Sequence, residues 1–209
     1  MKINEIFYSI QGEGKWVGLP NIFIRTTGCN LRCNFCDTKY AYENGENMSI
    51  NEIYASIKNN NCKNICVTGG EPLIQEETLK LIDFLLKKDY KMCLETNGSL
   101  DIEDFVNKKF LMISLDIKCP SSNMHEKMFF KNISLLGAKD QIKFIVKNIK
   151  DYEYAKQILK KYSTKADIFI QPVWGYNPLN IYNWILDDGL DVRMSLQLHK
   201  IICGDKKGF

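Results

Sequence analysis

The sequence predicts an α/β fold, an incomplete and open (β/α) barrel with a mostly parallel sheet, formed as one domain over residues 1–209. Three observations predict it. Short runs of β-branched and aromatic residues alternate with amphipathic helical patterns, and repeated βα units imply a parallel sheet. The 209 residues hold six or seven such units, whereas a closed eight-unit barrel takes ~250 residues. Clusters of glycine, cysteine and acidic residues follow successive strands, where folds of this kind place their sites.

The elements follow in order. Asn21–Thr26 reads as the first strand of the repeating pattern. Ser49 and Glu52 form a capping box, and Ile50, Ile53, Tyr54 and Ile57 give the helix behind it one apolar face. Asn64–Thr68 is a strand ending at Gly69-Gly70, and Leu79, Ile82, Leu85 and Leu86 mark the next helix. Lys91–Glu95 is a strand broken by Asn97-Gly98, with a short helix over Ile102–Asn107. Met112–Ile117 is the next strand, before Cys119-Pro120, and His125–Leu136 is assigned as helix on weaker periodicity. Gln141–Val146 is a strand and Tyr152–Tyr162 a helix. Asp167–Gln171 is a strand stopped by Pro172; Asn177 caps a helix that Pro178 begins and Gly189 ends. Asp191–Leu198 is the expected last strand. No linker, repeat or low-complexity stretch interrupts the pattern.

Composition narrows the function classes. Apolar residues make up 45% of the chain, enough for a sizeable core, and 28 basic against 25 acidic residues give a formal charge of +3. That balance argues against a nucleic-acid or membrane surface. No apolar run approaches the ~20 residues of a membrane span. Eight cysteines without a leader-like opening point to a reducing, cytoplasmic setting.

The most informative run is Cys29-Asn-Leu-Arg-Cys33-Asn-Phe-Cys36, followed by Asp37 and Thr38. Three thiolates can hold three irons of a [4Fe–4S] cluster, which normally takes four cysteines, and so leave one iron open for chemistry. Zinc is the alternative, but it normally needs four ligands, and His125 and His199 lie far from the triplet in sequence. Cys66 and Cys93 fall inside apolar strand-like runs and read as structural, and Cys62, Cys119 and Cys203 admit the same reading. Thr68-Gly-Gly-Glu-Pro72 offers glycines that let backbone approach a ligand and a carboxylate suited to an ammonium. Ser114 and Asp116 alternate along their strand and share one face.

The cysteine spacing, with the Gly-Gly-Glu run some thirty residues later, resembles the radical S-adenosylmethionine (radical SAM) superfamily. There the methionine part of SAM chelates the open iron, and an electron from the cluster cleaves SAM to a 5′-deoxyadenosyl radical. The segments Phe7-Tyr-Ser-Ile-Gln-Gly-Glu-Gly14, Arg25-Thr-Thr-Gly-Cys29, Cys36-Asp-Thr38, Gln171-Pro-Val-Trp174 and Leu196-Gln-Leu-His-Lys200 resemble the 7-carboxy-7-deazaguanine synthase family over nearly the whole chain. The resemblance implies conversion of 6-carboxy-5,6,7,8-tetrahydropterin to 7-carboxy-7-deazaguanine with release of ammonia, in the formation of queuosine and archaeosine precursors.

Carried over residue by residue, the resemblance gives Cys29, Cys33 and Cys36 to the [4Fe–4S] cluster. It gives Phe35, Cys36, Asp37, Gly70, Ser114, Leu115 and Asp116 to SAM, with Glu71 meeting the SAM amino group and Gln171, Pro172, Val173 and Trp174 closing over it. Ile10, Gln11, Gly12, Arg25, Thr68 and the C-terminal carboxylate of Phe209 would hold the pterin, Arg25 through its bidentate fork. Thr38 would ligate Mg²⁺. The roles of Glu13, Lys118, His199 and Lys200 stay open. A flavodoxin- or ferredoxin-type electron donor and a homodimer are further implications. The rival within the superfamily is a glycyl-radical-enzyme activase, which shares the triplet but acts on a protein. A zinc-bound structural or nucleic-acid module is the rival from another class, and the near-neutral charge and βα pattern argue against it.

Overall fold

The computed structural model describes residues 1–204, 206 and 208. Its framework is a nine-stranded sheet in the order β3-β1-β2-β4-β5-β6-β7-β8-β9. The strands are β1 (Lys2–Ile10), β2 (Pro20–Thr26), β3 (Glu46–Asn47), β4 (Asn64–Gly69), β5 (Lys91–Thr96), β6 (Leu111–Lys118), β7 (Gln141–Val146), β8 (Asp167–Pro172) and β9 (Arg193–Met194). From β2 through β9 every pairing is parallel, and β1 pairs antiparallel with both β2 and β3. The sheet ends in β3 on one side and β9 on the other, so it is open. The helices are α1 (Ile50–Ile57), α2 (Glu77–Leu86), α3 (Glu103–Val106), α4 (Lys131–Leu135), α5 (Ile149–Lys161), α6 (Pro178–Asp188) and α7 (Leu198–Cys203).

The two faces of the sheet have different chemistry because side chains alternate along a strand. Ile24, Val67, Leu94, Ile113, Leu115, Ile117, Ile142, Phe144 and Val146 are all fully buried in the main core, with Ile53, Ile57, Leu81, Ile82 and Leu85 from α1 and α2. The opposite face starts apolar. Phe23, Cys66, Cys93 and Met112 are register partners across β2, β4, β5 and β6 and form a small core of their own. Above this floor the same face turns polar: Arg25 pairs Thr68, Glu95 pairs Ser114, Ser114 pairs Gln141, and Asp116 pairs Lys143. One sequence pattern thus builds an aliphatic exterior and a polar interior.

Several sequence-predicted boundaries change. β1 is an added antiparallel strand, held by Phe7 stacking on Phe23 at 4.9 Å. His125–Leu136 is not one helix: a 3₁₀ turn at His125–Lys127 gives way to α4. Tertiary bonds break it, because Phe129 N–H donates to Gly98 O (2.9 Å) and buried Asn132 bridges Leu100 O and Ile102 N–H. The last strand shrinks to Arg193–Met194, and the chain then crosses the barrel mouth, where Leu198 N–H donates to Gly12 O at 2.9 Å.

The local caps follow the sequence. Ser49 Oγ accepts from Glu52 N–H at 3.2 Å, and the Glu52 carboxylate accepts from Ser49 N–H at 2.7 Å. Gly189 ends α6 in the left-handed region at φ 57°. Ser49→Ala removes one half of the box and should lower stability by about 1 kcal/mol. Denaturant unfolding checks this, with iron content expected unchanged because α1 does not line the site.

Candidate active site

A cavity of about 650 Å³ opens over the polar face at the C-terminal ends of the strands. The loop after β2 supplies Cys29, Cys33, Phe35, Cys36, Asp37 and Thr38, β4 supplies Thr68 and Gly69, and Gly70 follows directly after β4. Ile10, Gln11, Gly12, Arg25 and Asp116 also line it, as do Gln171, Pro172, Val173 and Trp174 at the end of β8. Ser114 lies on the same face but below the cavity, fully buried under Gln141, whose Nε2 donates to its Oγ at 2.7 Å. Leu115 points the other way, into the main core, so only its backbone is available to a ligand. Phe209 lies outside the described residues.

The three loop thiols are partly exposed, free, and open to the cavity. Among the described residues they form no grouping with all donor atoms within 4.8 Å. Cys29 Sγ accepts from Leu31 N–H at 3.4 Å and Asn97 Nδ2 at 3.7 Å, hydrogen bonds suited to a cluster-bound thiolate. Burial pushes the Cys29 and Cys33 thiols up, against which the Lys118 ammonium pulls Cys33 down. The donor set therefore fits three irons of a [4Fe–4S] cluster. Among the described residues Gln171 Oε1 is buried without a hydrogen-bond partner, and Gln171 lines the same cavity.

Gly70 fits the site for a reason other than open access. A Cβ there would lie 2.0 Å from Gly28 O and 2.9 Å from Cys29 Cβ. The cysteine loop packs directly on this glycine, and Glu71 N–H donates to Gly28 O at 2.7 Å. Glu71 itself is fully buried and does not line the cavity. Its carboxylate accepts from Leu73 N–H, Thr96 Oγ1 and Asn97 N–H at 3.0, 2.8 and 2.6 Å. Burial outweighs these bonds and lifts its pKa to about 7. With these bonds Glu71 braces the β4 and β5 loops behind the cysteines.

Arg25 projects into the cavity with its Nε donating to Glu5 Oε1 at 2.7 Å, flanked by Phe7 and Tyr40 at 5.7 and 5.8 Å. Tyr40 also donates to Glu5 Oε1, at 2.9 Å, and burial lifts that phenol to about 12. Thr38 Oγ1 donates to Asp37 Oδ1 at 2.8 Å. Lys118 pairs with Asp116 at 3.0 Å, and Lys200 lies 3.9 Å from Asp37.

Sequence reading missed Lys143. It sits in an apolar run, Gln141–Val146, and only the alternation of that strand hints that it faces inward. Its side chain is 4% exposed, and its ammonium lies 2.8 Å from Glu13, 2.8 Å from Glu95 and 3.3 Å from Asp116. Burial opposes its charge, but Asp116, Glu13 and Glu95 overcome that and hold the ammonium well above the usual lysine range. The carboxylates respond unequally. Burial raises Glu13, yet Lys143, Gln197 and His199 outweigh it and draw Glu13 down to about 2, whereas burial keeps Glu95 raised despite Lys143. Gln197 Nε2 donates to Glu13 Oε1 at 2.9 Å. His199 packs where a Gly12 Cβ would stand, and burial lowers its pKa.

Comparisons with known proteins agree with this geometry. A family model described as the Radical SAM superfamily matches residues 23–166. The chain is 36% identical to 7-carboxy-7-deazaguanine synthase of Thermoplasma acidophilum over 208 residues, covering 100% of each chain. It is 41% identical to the enzyme of that name from Methanospirillum hungatei, covering 97% of this chain and 85% of the relative. The crystal structure of QueE from Escherichia coli superposes with a TM-score of 0.78 at 26% identity, covering 95% and 94% of the two chains. Streptococcus suis SuiB, at 15% identity and a TM-score of 0.60, shares the fold over 83% of this chain.

Two outcomes follow. Gly70→Ala should lower iron content after anaerobic reconstitution, because the added methyl displaces the cysteine loop; iron analysis and the cluster's absorption report it. Lys143→Met leaves Glu13 and Glu95 without their cation, while Asp116 keeps Lys118, and should destabilise the fold by about 3–5 kcal/mol, read by denaturant unfolding. Glu13 gives the accompanying pH dependence. Its folded pKa is depressed from 4.5 to about 2, so its contribution is present above about pH 4.5 and is lost as pH falls toward 2; the mutant should lack most of that acid-side slope.

Proposed function

The chain belongs to the 7-carboxy-7-deazaguanine synthase family of the radical SAM superfamily, and from that premise we propose how its residues share the work. It is a radical SAM lyase that converts 6-carboxy-5,6,7,8-tetrahydropterin to 7-carboxy-7-deazaguanine and ammonia. One observation carries the reading. The three loop thiols open into the same cavity of about 650 Å³ as Gln11, Arg25 and Thr68. The activase alternative is not favoured, since relatives across the full length carry the synthase name.

Cys29, Cys33 and Cys36 would hold the cluster, and Asn97 and Leu31 would steady the Cys29 sulfur. When bound, the cluster supplies the electron that opens the SAM sulfonium to give a hydrogen-abstracting radical. Phe35, Cys36, Asp37, Gly70 and Asp116 would line SAM together with the backbone near Ser114 and Leu115, beneath the Gln171–Trp174 segment. Arg25, fixed at Nε by Glu5, would present the rest of its fork to the pterin carboxylate. Glu95 and Glu13 offer acceptors for the amino and N–H groups of the pterin ring. Ile10, Gln11, Gly12 and Thr68 complete its walls, with His199 packed against Gly12. Thr38 and Asp37 put oxygen donors side by side, which supports Mg²⁺ binding there with the substrate and water completing its shell.

A small-molecule substrate and a reductant are required by this chemistry. A flavodoxin- or ferredoxin-type donor, a homodimer, a cytoplasmic setting and one radical SAM domain over 1–209 belong to the same reading. Among the described residues no helix is long and apolar enough to cross a membrane.

Anaerobic turnover with SAM, reductant and the carboxytetrahydropterin, followed by mass spectrometry, tests the assignment; absence of the deazaguanine product from iron-replete enzyme would sink it. Cys33→Ala should abolish SAM cleavage. Arg25→Lys keeps the charge but loses the fork, so pterin affinity should fall while uncoupled SAM cleavage persists.

A further inference from the structure

We propose that Cys66, Cys93 and Glu95 form a second metal site, for one thiophilic divalent cation of the zinc type, in the floor of the barrel. Cys66 and Cys93 are register partners on the adjacent parallel strands β4 and β5, and Glu95 lies two residues beyond Cys93 on the same face. Their sulfur and oxygen atoms all lie within 4.8 Å of one another, the one such grouping among the described residues. A tetrahedral zinc at about 2.3 Å from sulfur and about 2.0–2.2 Å from oxygen brings its ligands to just under 4 Å from one another. Side-chain rotation of well under an ångström per donor closes the difference.

The surroundings suit an ion. Glu95 divides its oxygens: Oε1 accepts from the Cys93 thiol at 3.8 Å, and Oε2 accepts from Lys143 at 2.8 Å. Two thiolates and a carboxylate around a dication leave one negative charge, and the Lys143 ammonium already touches that ligand. Such a partner behind a ligand fixes its orientation. Gln11 also reaches the site, its Nε2 donating to Cys66 Sγ at 3.7 Å. Cys66, Glu95 and Gln11 line the main cavity and Cys93 lies fully buried beside them, which leaves a fourth position for water or the Gln11 amide oxygen. Binding would release the two thiol protons to solvent. The site shares no residue with the loop triplet, whereas Glu95 and Gln11 also face the cavity assigned to the pterin.

The test uses the full chain, anaerobically reconstituted with iron so that the loop cysteines are occupied, then exposed to zinc chloride and gel-filtered. The expected result is one zinc per chain in addition to about four irons, with zinc-edge X-ray absorption showing two sulfur and two lighter ligands. Cys93→Ala and, separately, Cys66→Ala should lose the zinc and keep the iron. Zinc removed by gel filtration, zinc bound with three or four sulfurs at the expense of iron, undiminished zinc in Cys93→Ala, or a Cys66–Cys93 disulfide in the purified protein would each overturn the proposal. If the variants fail to hold iron, the sulfur count of the parent's zinc decides alone.

Discussion

The Lys143 ammonium is the interaction on which the rest of the interior depends. A lone charge this deeply buried would be unfavourable by several kcal/mol. It persists because Glu13, Glu95 and Asp116 converge on it from the loop after β1, from β5 and from β6. Through Glu13 it also reaches Gln197, on the segment that crosses the barrel mouth. An open sheet has no hydrogen-bonded closure between its first and last strands. Here one cation draws the N-terminal loop over the polar face and ties it to the middle strands.

A second constraint acts on the cysteine loop. That loop has little regular structure, so its shape is borrowed from its neighbours. Glu71 N–H holds Gly28 O, the bare Cα of Gly70 lets the two backbones touch, and the buried Glu71 carboxylate gathers Thr96 and Asn97 behind them. Asn97 then contacts Cys29 and Asn30. The Gly-Gly-Glu run thus helps fix where the three thiols sit. The positions of the sulfurs, rather than their mere presence, decide whether a cluster can be held.

Both devices put polar groups where the alternation of a strand would otherwise bury apolar ones. The aliphatic face carries the hydrophobic stability of the sheet and helices. The opposite face is left to a network of ion pairs and hydrogen bonds that is satisfied only when several loops are in place. Asp116 shows how closely it is balanced: one carboxylate oxygen serves Lys118, and the other has only the longer contact to Lys143.

What the sequence determined by itself is local. The Ser49–Glu52 box, the Asn177–Pro178 start and the Gly189 stop are written in neighbouring residues and appear as expected. The parallel strands from Asn21–Thr26 to Asp167–Gln171 are legible because their residues are β-branched and bounded by turns. The cysteine triplet is legible because its ligands are close in sequence. Tertiary structure decided what depends on distant partners. β1 is a strand because β2 offers it an edge; 125–136 breaks because Gly98 and Leu100 claim its polar groups; the chain leaves the sheet after Met194 because Gly12 and Glu13 bind it elsewhere. Lys143 and the Cys66–Cys93–Glu95 grouping were hidden for the same reason. A residue's chemistry is in the sequence, but the charge or donor it meets across the barrel is set only when strands far apart in the chain lie side by side.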